Sequence, residues 1–179
     1  MTDLVETHNF FCPFVNELET QLNGALKNYN ENQFTTNMPW SSSLHTEFDI
    51  APIILVHHFG DTELYAKTEE FINEQLRDKN VAVGNMVFHV MTPYSRIDWH
   101  NDGDEKGGRV GSLTIYLNQK WGVDKGGELL YNIDNKLERQ TPVYNKAVYM
   151  DGSVKHCVTP VYDNTIRKSL QVWLKRIGD

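Results

Sequence analysis

The chain has very little cysteine: only Cys12 and Cys157 occur among its 179 residues, and they are not part of a Cys-x-x-Cys motif. One distant pair cannot build the disulfide framework of a small secreted domain, so we expect a reducing compartment. Long apolar runs are also missing, since none reaches the roughly 18 residues that a membrane span requires. Residues 1–6 are acidic and lack the positive start and apolar centre of a signal peptide. These absences predict a cytoplasmic protein with no membrane partner.

Positive charge is in short supply, with 17 Lys and Arg against 24 Asp and Glu and a net charge of −7. Binding to a nucleic-acid backbone or an anionic membrane surface relies on positive charge, so this balance disfavours both partners. Hydrophobic residues make up 40% of the chain and charged residues 23%, which is typical of a soluble globular protein. A chain of this length usually forms one domain with a sizeable core, so we expect residues 1–179 to be a single domain.

Helical patterns are confined to the first 80 residues. Apolar residues recur at helical spacing after Pro13 and predict an amphipathic helix near 13–29. A second pattern of this kind, near 62–78, follows a Gly-Asp start signal. The polar stretch 28–43 reads as an irregular connection, and the apolar run 53–56 is a candidate short strand. We therefore expect residues 1–80 to be a helical segment that supports the rest of the chain.

From residue 82 the apolar period changes to two, which is typical of strands. Turns rich in Gly, Asp and Asn separate the short runs. The predicted strands are 85–91, 97–101, 110–118, 127–132, 136–143, 146–150, 155–161 and 167–175. About eight short strands in this space indicate a sandwich, a jelly roll or a barrel. The expected fold is mainly β, with a core over 82–176 and N-terminal helices covering one face.

Two of these strands have one apolar and one polar face, because side chains alternate along a strand. The polar faces carry Ser112, Thr114, Tyr116 and Asn118 in the first strand and Arg167, Ser169, Gln171 and Trp173 in the second. Either these faces meet water, or both line one pocket inside a rolled sheet. The other residues of the site decide between the two interpretations.

A metal-ligand pattern begins at the end of the second strand of this region, 97–101. His100 and Asp102 are two residues apart, so in an extended strand both side chains can reach one ion from the same side. A second histidine, His156, follows later in the chain. Two histidines and one carboxylate form the facial triad of non-haem iron(II) oxygenases, which leaves coordination positions open. Alone, a His-x-Asp pair is more often a surface pair or a turn cap.

A candidate anion clamp accompanies this triad. Arg167 opens the last strand on its polar face, and a guanidinium group can hold a carboxylate through two hydrogen bonds. Tyr116, on the polar face of another strand, can donate its hydroxyl to the same anion. Alone, the arginine would be read as a rim ion pair and the tyrosine as a half-buried strand residue. Their order with the triad on period-two strands favours a metal site beside an anion clamp.

Taken together, these residues resemble the iron(II)- and 2-oxoglutarate-dependent dioxygenases, and among them the prolyl-hydroxylase branch. The resemblance covers about residues 83–175, and the stretch from His100 to Gly127 is similar to enzymes that hydroxylate prolines in oxygen-sensing transcription factors. Its motifs are His100-x-Asp102, Gly108-Arg109, residues 113–121, Gly126-Gly127-Glu128-Leu129, residues 156–161 and Arg167-x-Ser169-Leu170-x-Val172-Trp173.

The resemblance implies a double-stranded β-helix, or jelly roll, with iron near its open mouth. It implies His100, Asp102 and His156 as iron(II) ligands, 2-oxoglutarate and O2 as co-substrates, and ascorbate as a candidate reductant. The distal carboxylate of 2-oxoglutarate would meet Arg167 and Tyr116. The co-substrate pocket would also be lined by Met86, Gln171 and Trp173. Candidate substrate contacts are Arg109, Trp121 and Arg96, with Arg109 the foremost.

Three positions depart from the prolyl-hydroxylase pattern, in which Val90 and Ile97 would be tyrosines and Gln171 a threonine. These departures leave the substrate open. The main hypothesis is hydroxylation of a prolyl residue in a protein or peptide. The alternatives are hydroxylation of a free amino acid or another small metabolite, and a non-catalytic cupin-like metal-binding module. Nucleobase demethylation is disfavoured by the acidic charge, and a zinc hydrolase lacks a placed base.

Two further features carry weaker expectations. The glycine-rich stretch 103–108 directly follows the ligand aspartate, and it is either a loop that closes over substrate or a plain hairpin connection. No general base is required by the proposed chemistry. We therefore assign no catalytic role to His57, His58 or His89.

Overall fold

The computed structural model describes residues 4–8, 11–29, 33–37, 40–41, 52–104, 106, 108–162 and 164–178. These residues are mainly β, with helices α1 (Val15–Lys27) and α2 (Glu63–Gln75). The strands are β1 (Val5–His8), β2 (Phe34–Thr36), β3 (Ile54–His57), β4 (Val81–Met91), β5 (Ile97–His100), β6 (Arg109–Tyr116), β7 (Leu129–Ile133), β8 (Lys136–Gln140), β9 (Ala147–Asp151), β10 (His156–Val158) and β11 (Arg167–Arg176). Neither helix is long and apolar enough to span a membrane, and no other helix in the described residues is.

The strands form two antiparallel sheets. The larger sheet has seven strands in the order β1-β9-β6-β11-β4-β3-β2, and the smaller has four in the order β5-β10-β7-β8. Residues of both sheets meet in one buried cluster, which contains Tyr116 and Met150 from the larger sheet and Leu129 and Val158 from the smaller one. Two antiparallel sheets that enclose a common interior are the arrangement of a jelly roll.

Each of the eight strands predicted from residue 82 onward is present, with ends shifted by a few residues. In the first 80 residues, β3 confirms the candidate strand at 53–56, whereas β1 and β2 were not predicted. These three strands add to both edges of the larger sheet, so the two halves of the chain share one sheet. With four and three residues, β1 and β2 are too short for an apolar period to be read from the sequence.

The larger sheet has a helix-covered face and an inner face. Leu18 and Leu22 of α1 and Ile72 of α2 belong to the same buried cluster as Leu113 of β6 and Leu170 of β11. A full burial of each such side chain contributes about 1.5–3 kcal/mol to folding. Because side chains alternate, the neighbours of these strand residues point to the other side of the sheet, where the cavity lies.

The polar faces of β6 and β11 lie on this inner side. Ser112, Thr114 and Tyr116 of β6 line the cavity between the sheets, as do Arg167, Gln171 and Trp173 of β11. The pocket interpretation of these polar faces is therefore correct, and the solvent interpretation is wrong. Asn118 lies beyond the end of β6 and instead bonds to the backbone of Ile166 and Lys168.

Candidate active site

Three metal-ligand side chains converge at one end of the smaller sheet. His100 ends β5, Asp102 follows it by two residues, and His156 begins β10. The Nε2 atom of His100 lies 3.7 Å from Oδ1 of Asp102, and Nε2 of His156 lies 3.5 Å from Oδ2. One donor atom from each side chain lies within 4.8 Å of the other two. The three atoms are therefore close enough to bind a single metal ion.

Both imidazoles are held by backbone carbonyls on their other nitrogen. The Nδ1 of His100 lies 2.7 Å from the carbonyl oxygen of Asp98, and the Nδ1 of His156 lies 2.9 Å from that of Val154. A carbonyl accepts only from N–H, so each Nδ1 carries the proton and each Nε2 presents its lone pair. Burial lowers the pKa of His156, which keeps this ring in the neutral form that binds metals.

Backbone packing fixes the chain just after Asp102. Gly103 N donates to Gly152 O at 2.8 Å, and Gly152 N donates to Val110 O at 2.8 Å. A Cβ atom on Gly103 would lie 2.8 Å from the Gly152 oxygen, closer than real Cβ contacts come. Glycine at both positions lets the two segments touch through their main chains, and this contact holds the Asp102 segment in place.

A cavity of about 420 Å³ opens from the triad into the space between the sheets. Besides the triad, its lining includes Trp40, His89, Ile97, Arg109, Ser112, Thr114, Tyr116, Leu129, Met150, Val158, Arg167, Gln171 and Trp173. Thr114 donates its hydroxyl to the Gln171 side chain at 2.8 Å. Apart from the triad, the smaller sheet contributes the apolar residues Ile97, Leu129 and Val158, whereas the larger sheet contributes mainly polar side chains.

The closed end of the cavity holds a buried cation. Arg167 is 3% exposed, and its Nη1 atom lies 3.5 Å from both Ser169 Oγ and Met91 Sδ. Its guanidinium carbon lies 5.1 Å from the centre of the Tyr116 ring. Within the described part of the chain, Arg167 Nε, Tyr116 Oη and His89 Nε2 are buried and lack a hydrogen-bond partner. No carboxylate of the described residues pairs with the buried Arg167 charge, and an unpaired buried charge is costly, so this end is suited to an anionic ligand.

The charge states of Tyr116, Arg167 and His89 are suited to an anionic ligand at this end of the cavity. Burial raises the pKa of Tyr116, so its hydroxyl remains a hydrogen-bond donor at neutral pH. Burial also lowers the pKa of Arg167, but from an ordinary value so high that the guanidinium stays charged. Burial, with the Arg167 charge, lowers the pKa of His89 to about 4, so its ring is neutral.

Gly127 makes room for the Arg167 side chain. Its backbone has φ +65°, a left-handed conformation that favours glycine. A Cβ atom there would lie 2.8 Å from Arg167 Cδ and 3.2 Å from the Trp121 ring. The Gly126-Gly127 motif is therefore needed for the path of the arginine as well as for the turn.

The expected pocket role of Met86 is wrong. Met86 lies in the helix-facing core with Phe88 and Leu170, whereas His89 and Met91 of the same strand face the cavity. Met86 was suggested by the resemblance alone, and the alternation along β4 places it on the face opposite to His89. His89 was given no role in the sequence analysis, although its spacing from Met91 is that of one strand face.

The three candidate substrate contacts are placed differently. Arg109 lines the cavity, with its guanidinium 5.0 Å from the centre of the Trp173 ring. Trp121 lies outside the lining and donates its indole N–H to Gly126 O at 2.9 Å. Arg96 also lies outside it and forms an ion pair with Asp98 at 3.0 Å. The structure therefore brings only Arg109 of these three to the cavity.

The donor set and the closed end fit the two groups that the sequence resemblance implies. Two neutral imidazoles and one carboxylate suit iron(II) and leave positions for further ligands. The unpartnered donors of Arg167 and Tyr116 suit a carboxylate at the other end of the same cavity. A metal-bound oxo acid with a distal carboxylate would therefore find a partner at both ends.

Solved structures of similar fold include prolyl hydroxylases. A Pseudomonas putida prolyl-4-hydroxylase has a TM-score of 0.72 and 20% identity, with 99% of this chain and 95% of that chain covered. A Trichoplax adhaerens prolyl hydroxylase, in complex with a hypoxia inducible factor oxygen degradation domain peptide fragment, has a TM-score of 0.72 and 18% identity over 98% and 84% of the two chains. The collagen prolyl hydroxylase of Paramecium Bursaria Chlorella virus-1, in its 2OG complex, has a TM-score of 0.68 and 15% identity over 98% and 97%. At these identities the likeness establishes the fold.

Sequence comparison establishes the family. No curated protein sequence matches the chain significantly. The family model of the 2OG-Fe(II) oxygenase superfamily matches residues 86–175, which is half of the chain and includes the triad, Tyr116 and Arg167. The chain belongs to this superfamily, and it is a 2-oxoglutarate-dependent dioxygenase that uses Fe(II), 2-oxoglutarate and O2.

Proposed function

We propose that this enzyme hydroxylates a prolyl residue in a protein or peptide, with iron(II) held by His100, Asp102 and His156. We further propose that Arg167 and Tyr116 bind the distal carboxylate of 2-oxoglutarate. The observation that carries the site assignment is the shared cavity, with the triad at one end and the unpartnered donors of Arg167 and Tyr116 at the other. The prolyl substrate is supported by three structures of similar fold that are prolyl hydroxylases, one of them with a bound peptide.

The bound metal and co-substrates supply the oxidative chemistry that couples decarboxylation of 2-oxoglutarate to hydroxylation of a C–H bond. The protein supplies position and a controlled environment. The carbonyls of Asp98 and Val154 fix the two imidazoles with Nε2 toward the metal position. Arg167 and Tyr116 would orient the oxo acid from its far end. Neither role requires a protein group that moves a proton.

The mouth of the cavity supports a role for Arg109 in substrate binding. Arg109 forms no ion pair with the described residues, and its guanidinium lies against the Trp173 ring. A guanidinium held in this way can bind a peptide carbonyl or an acidic side chain at the rim. Asp104 and Arg109 exchange backbone hydrogen bonds at 3.0 and 3.1 Å, so the connection between them starts and ends as a hairpin. Closure of this connection over substrate stays a prediction.

The test of the substrate class is oxygen incorporation into peptides. A panel of proline-containing peptides is incubated with enzyme, iron(II) and 2-oxoglutarate, and the products are analysed by mass spectrometry. We expect a gain of one oxygen atom on a proline residue. Free amino acids are assayed in parallel, with succinate formation as the common readout. A panel without oxidised proline, beside a free amino acid that is hydroxylated, would place the enzyme among small-molecule hydroxylases instead.

A further inference from the structure

A row of three side chains crosses the closed end of the cavity. Ser169 of β11 pairs with His89 of β4 on one side and with Tyr116 of β6 on the other. All three side chains lie on the inner face, and Arg167 precedes Ser169 on the same face. Neighbouring strands are about 4.8 Å apart, so the backbones of His89 and Tyr116 are about 10 Å apart. The short serine between them leaves a slot between an imidazole and a phenol, next to the guanidinium.

His89 is unlike the other buried histidine in the same sheet. His57 is also buried, but its Nδ1 lies 2.8 Å from Gln33 O, and its ring stacks between Phe34 and Phe88. The Nε2 of His89 is buried with no hydrogen-bond partner in the described residues, and its ring lines the cavity. Leaving a buried polar atom unpaired is costly. Contacts within the protein satisfy the His57 imidazole, but they leave Nε2 of His89 without a hydrogen-bond partner in the described residues. This difference points to a ligand in the cavity that supplies the missing hydrogen bond.

We propose that His89 donates a hydrogen bond from Nε2–H to the distal carboxylate of 2-oxoglutarate, as a third contact beside Arg167 and Tyr116. The proposal rests on the assignment of those two residues as the carboxylate clamp under the proposed function. A neutral donor is suited to this place, because a second cation beside Arg167 would be repelled by it. Burial and the Arg167 charge both lower the pKa of His89 and favour its neutral ring. This agrees with the role of a neutral donor.

Trp173 orients the imidazole for this role. The two rings meet edge to face, with centroids 6.2 Å apart and planes at 87°. The Arg109 guanidinium lies over the same Trp173 ring, 5.0 Å from its centre. The tryptophan therefore packs between the rim of the cavity and His89. It would hold the imidazole ring in one orientation when the co-substrate enters.

The test is a comparison of two oxo acids on zinc-loaded protein, which binds co-substrate without turnover. Calorimetry measures the Kd of 2-oxoglutarate and of 2-oxobutyrate, which has the same oxo-acid head but no distal carboxylate. For His89→Leu we expect 2-oxoglutarate to bind about tenfold more weakly or worse, as for the loss of a hydrogen bond to a charged group. We expect the Kd of 2-oxobutyrate to be unchanged. His89→Gln, which keeps an amide donor, should recover part of the affinity.

Two control variants separate the possible failures. His57→Leu removes the other buried histidine and should change neither affinity. Equal losses for both oxo acids in His89→Leu would show a structural role and overturn the proposal. If Arg167→Lys weakens 2-oxoglutarate binding while His89→Leu does not, the carboxylate clamp stands and the role of His89 is refuted. If neither variant changes the affinity, the clamp itself is wrongly assigned and the proposal fails with it.

A measurement on the wild-type protein keeps the proposal testable if the His89 variants do not fold. In zinc-loaded protein with ¹⁵N-labelled histidine, NMR follows the ring N–H protons. We expect 2-oxoglutarate to bring the Nε2–H proton of His89 into slow exchange, because the carboxylate would hold it. 2-Oxobutyrate should not do so. A spectrum that 2-oxoglutarate leaves unchanged at His89 would refute the contact.

Discussion

His100 and His156 are direct cross-strand partners: β5 and β10 pair at these two residues, and their ring centroids are 4.2 Å apart. Asp102 lies beside both histidines. Because β5 and β10 pair here, His156 lies next to His100 and Asp102 although it is distant in the sequence. The backbone ladder, rather than a flexible loop, sets the distance between the two imidazoles. A bulge follows directly, between His156 and Val158, where the register of this pair shifts.

Replacing His156 by alanine should abolish succinate formation from 2-oxoglutarate, because it removes one of the three proposed metal ligands. Circular dichroism should show that the fold is retained, and calorimetry with manganese(II) or zinc(II) should show lost metal binding. His58→Ala is the matched control, since His58 is exposed and lies outside the cavity. Turnover that survives His156→Ala unchanged would refute the assignment of the iron ligands.

Arg167→Ala should raise the apparent KM for 2-oxoglutarate, because truncating one partner of a buried charge pair costs roughly 2–5 kcal/mol. Arg167→Lys should recover only part of this loss, since an ammonium group cannot make the two-pronged contact. Tyr116→Phe should show a smaller loss of the same kind. Steady-state kinetics at varied 2-oxoglutarate would check all three, and wild-type KM values for both Arg167 variants would place the co-substrate elsewhere.

Gly127→Ala should weaken 2-oxoglutarate binding although residue 127 carries no chemical group. Its left-handed backbone costs an L-residue roughly 1–2 kcal/mol, and the new Cβ would collide with the side chain of Arg167. Denaturant unfolding and 2-oxoglutarate titration would measure the two effects. In contrast, Gly24→Ala in α1 should stabilise the protein by about 0.5–1 kcal/mol, since an added Cβ there meets nothing within 4 Å. A Gly127→Ala protein with normal co-substrate affinity would contradict the packing argument.

Arg109→Ala should reduce oxygen incorporation into a peptide substrate while 2-oxoglutarate decarboxylation without substrate continues. The reason is that Arg109 lies at the rim, over Trp173, and not beside the triad or the buried clamp. The measurement is the ratio of oxidised peptide to succinate formed. Arg139→Ala is a suitable control, because Arg139 is an exposed residue on β8 outside the cavity. Equal loss of both products would indicate a general defect instead.

The metal-free protein should lose stability as the pH falls from about 6.5 to about 4, in part because of His89. Its folded pKa of about 4 lies below the ordinary 6.5, so the unfolded chain takes up a proton first. The stabilisation is complete above pH 6.5, and the loss at lower pH amounts to about 3 kcal/mol. Burial and the Arg167 charge lower this pKa, and Asp102 raises it. Urea unfolding with a chelator at pH 7 and pH 4.5 should show a smaller pH difference for His89→Leu than for the wild type.

Strand length determined which strands, and which faces of them, could be predicted from the sequence. β6 and β11 have eight and ten residues, so their alternation revealed which face holds Tyr116 and Arg167. The spacing of His100 and Asp102 predicted that both side chains reach one ion, and their donor atoms are close although Asp102 lies two residues beyond the end of β5. β1 and β2, with four and three residues, were not predicted because they are too short to show a period.

The errors in the cavity lining have two sources. Met86 was placed in the cavity by the resemblance alone, whereas the alternation along β4 turns His89 to the cavity and Met86 to the helix-facing core. Trp121 and Arg96 lie in connections before or after strands, where sequence spacing does not determine direction. Their contacts with Gly126 and Asp98 depend on the folded arrangement of those connections.

The contact between Gly103 and Gly152 separates the hairpin of residues 104–108, at the rim of the cavity, from the His100, Asp102 and His156 side chains. The main chain is clamped at Gly103, immediately after Asp102, and again where Gly152 bonds to Val110. Residues 104–108 lie between these two clamps, so their length and composition can change while the position of Asp102 is preserved. Exchange of residues 104–108 should therefore leave the proposed metal ligands in place, so this segment is where the proposed substrate contacts can be varied.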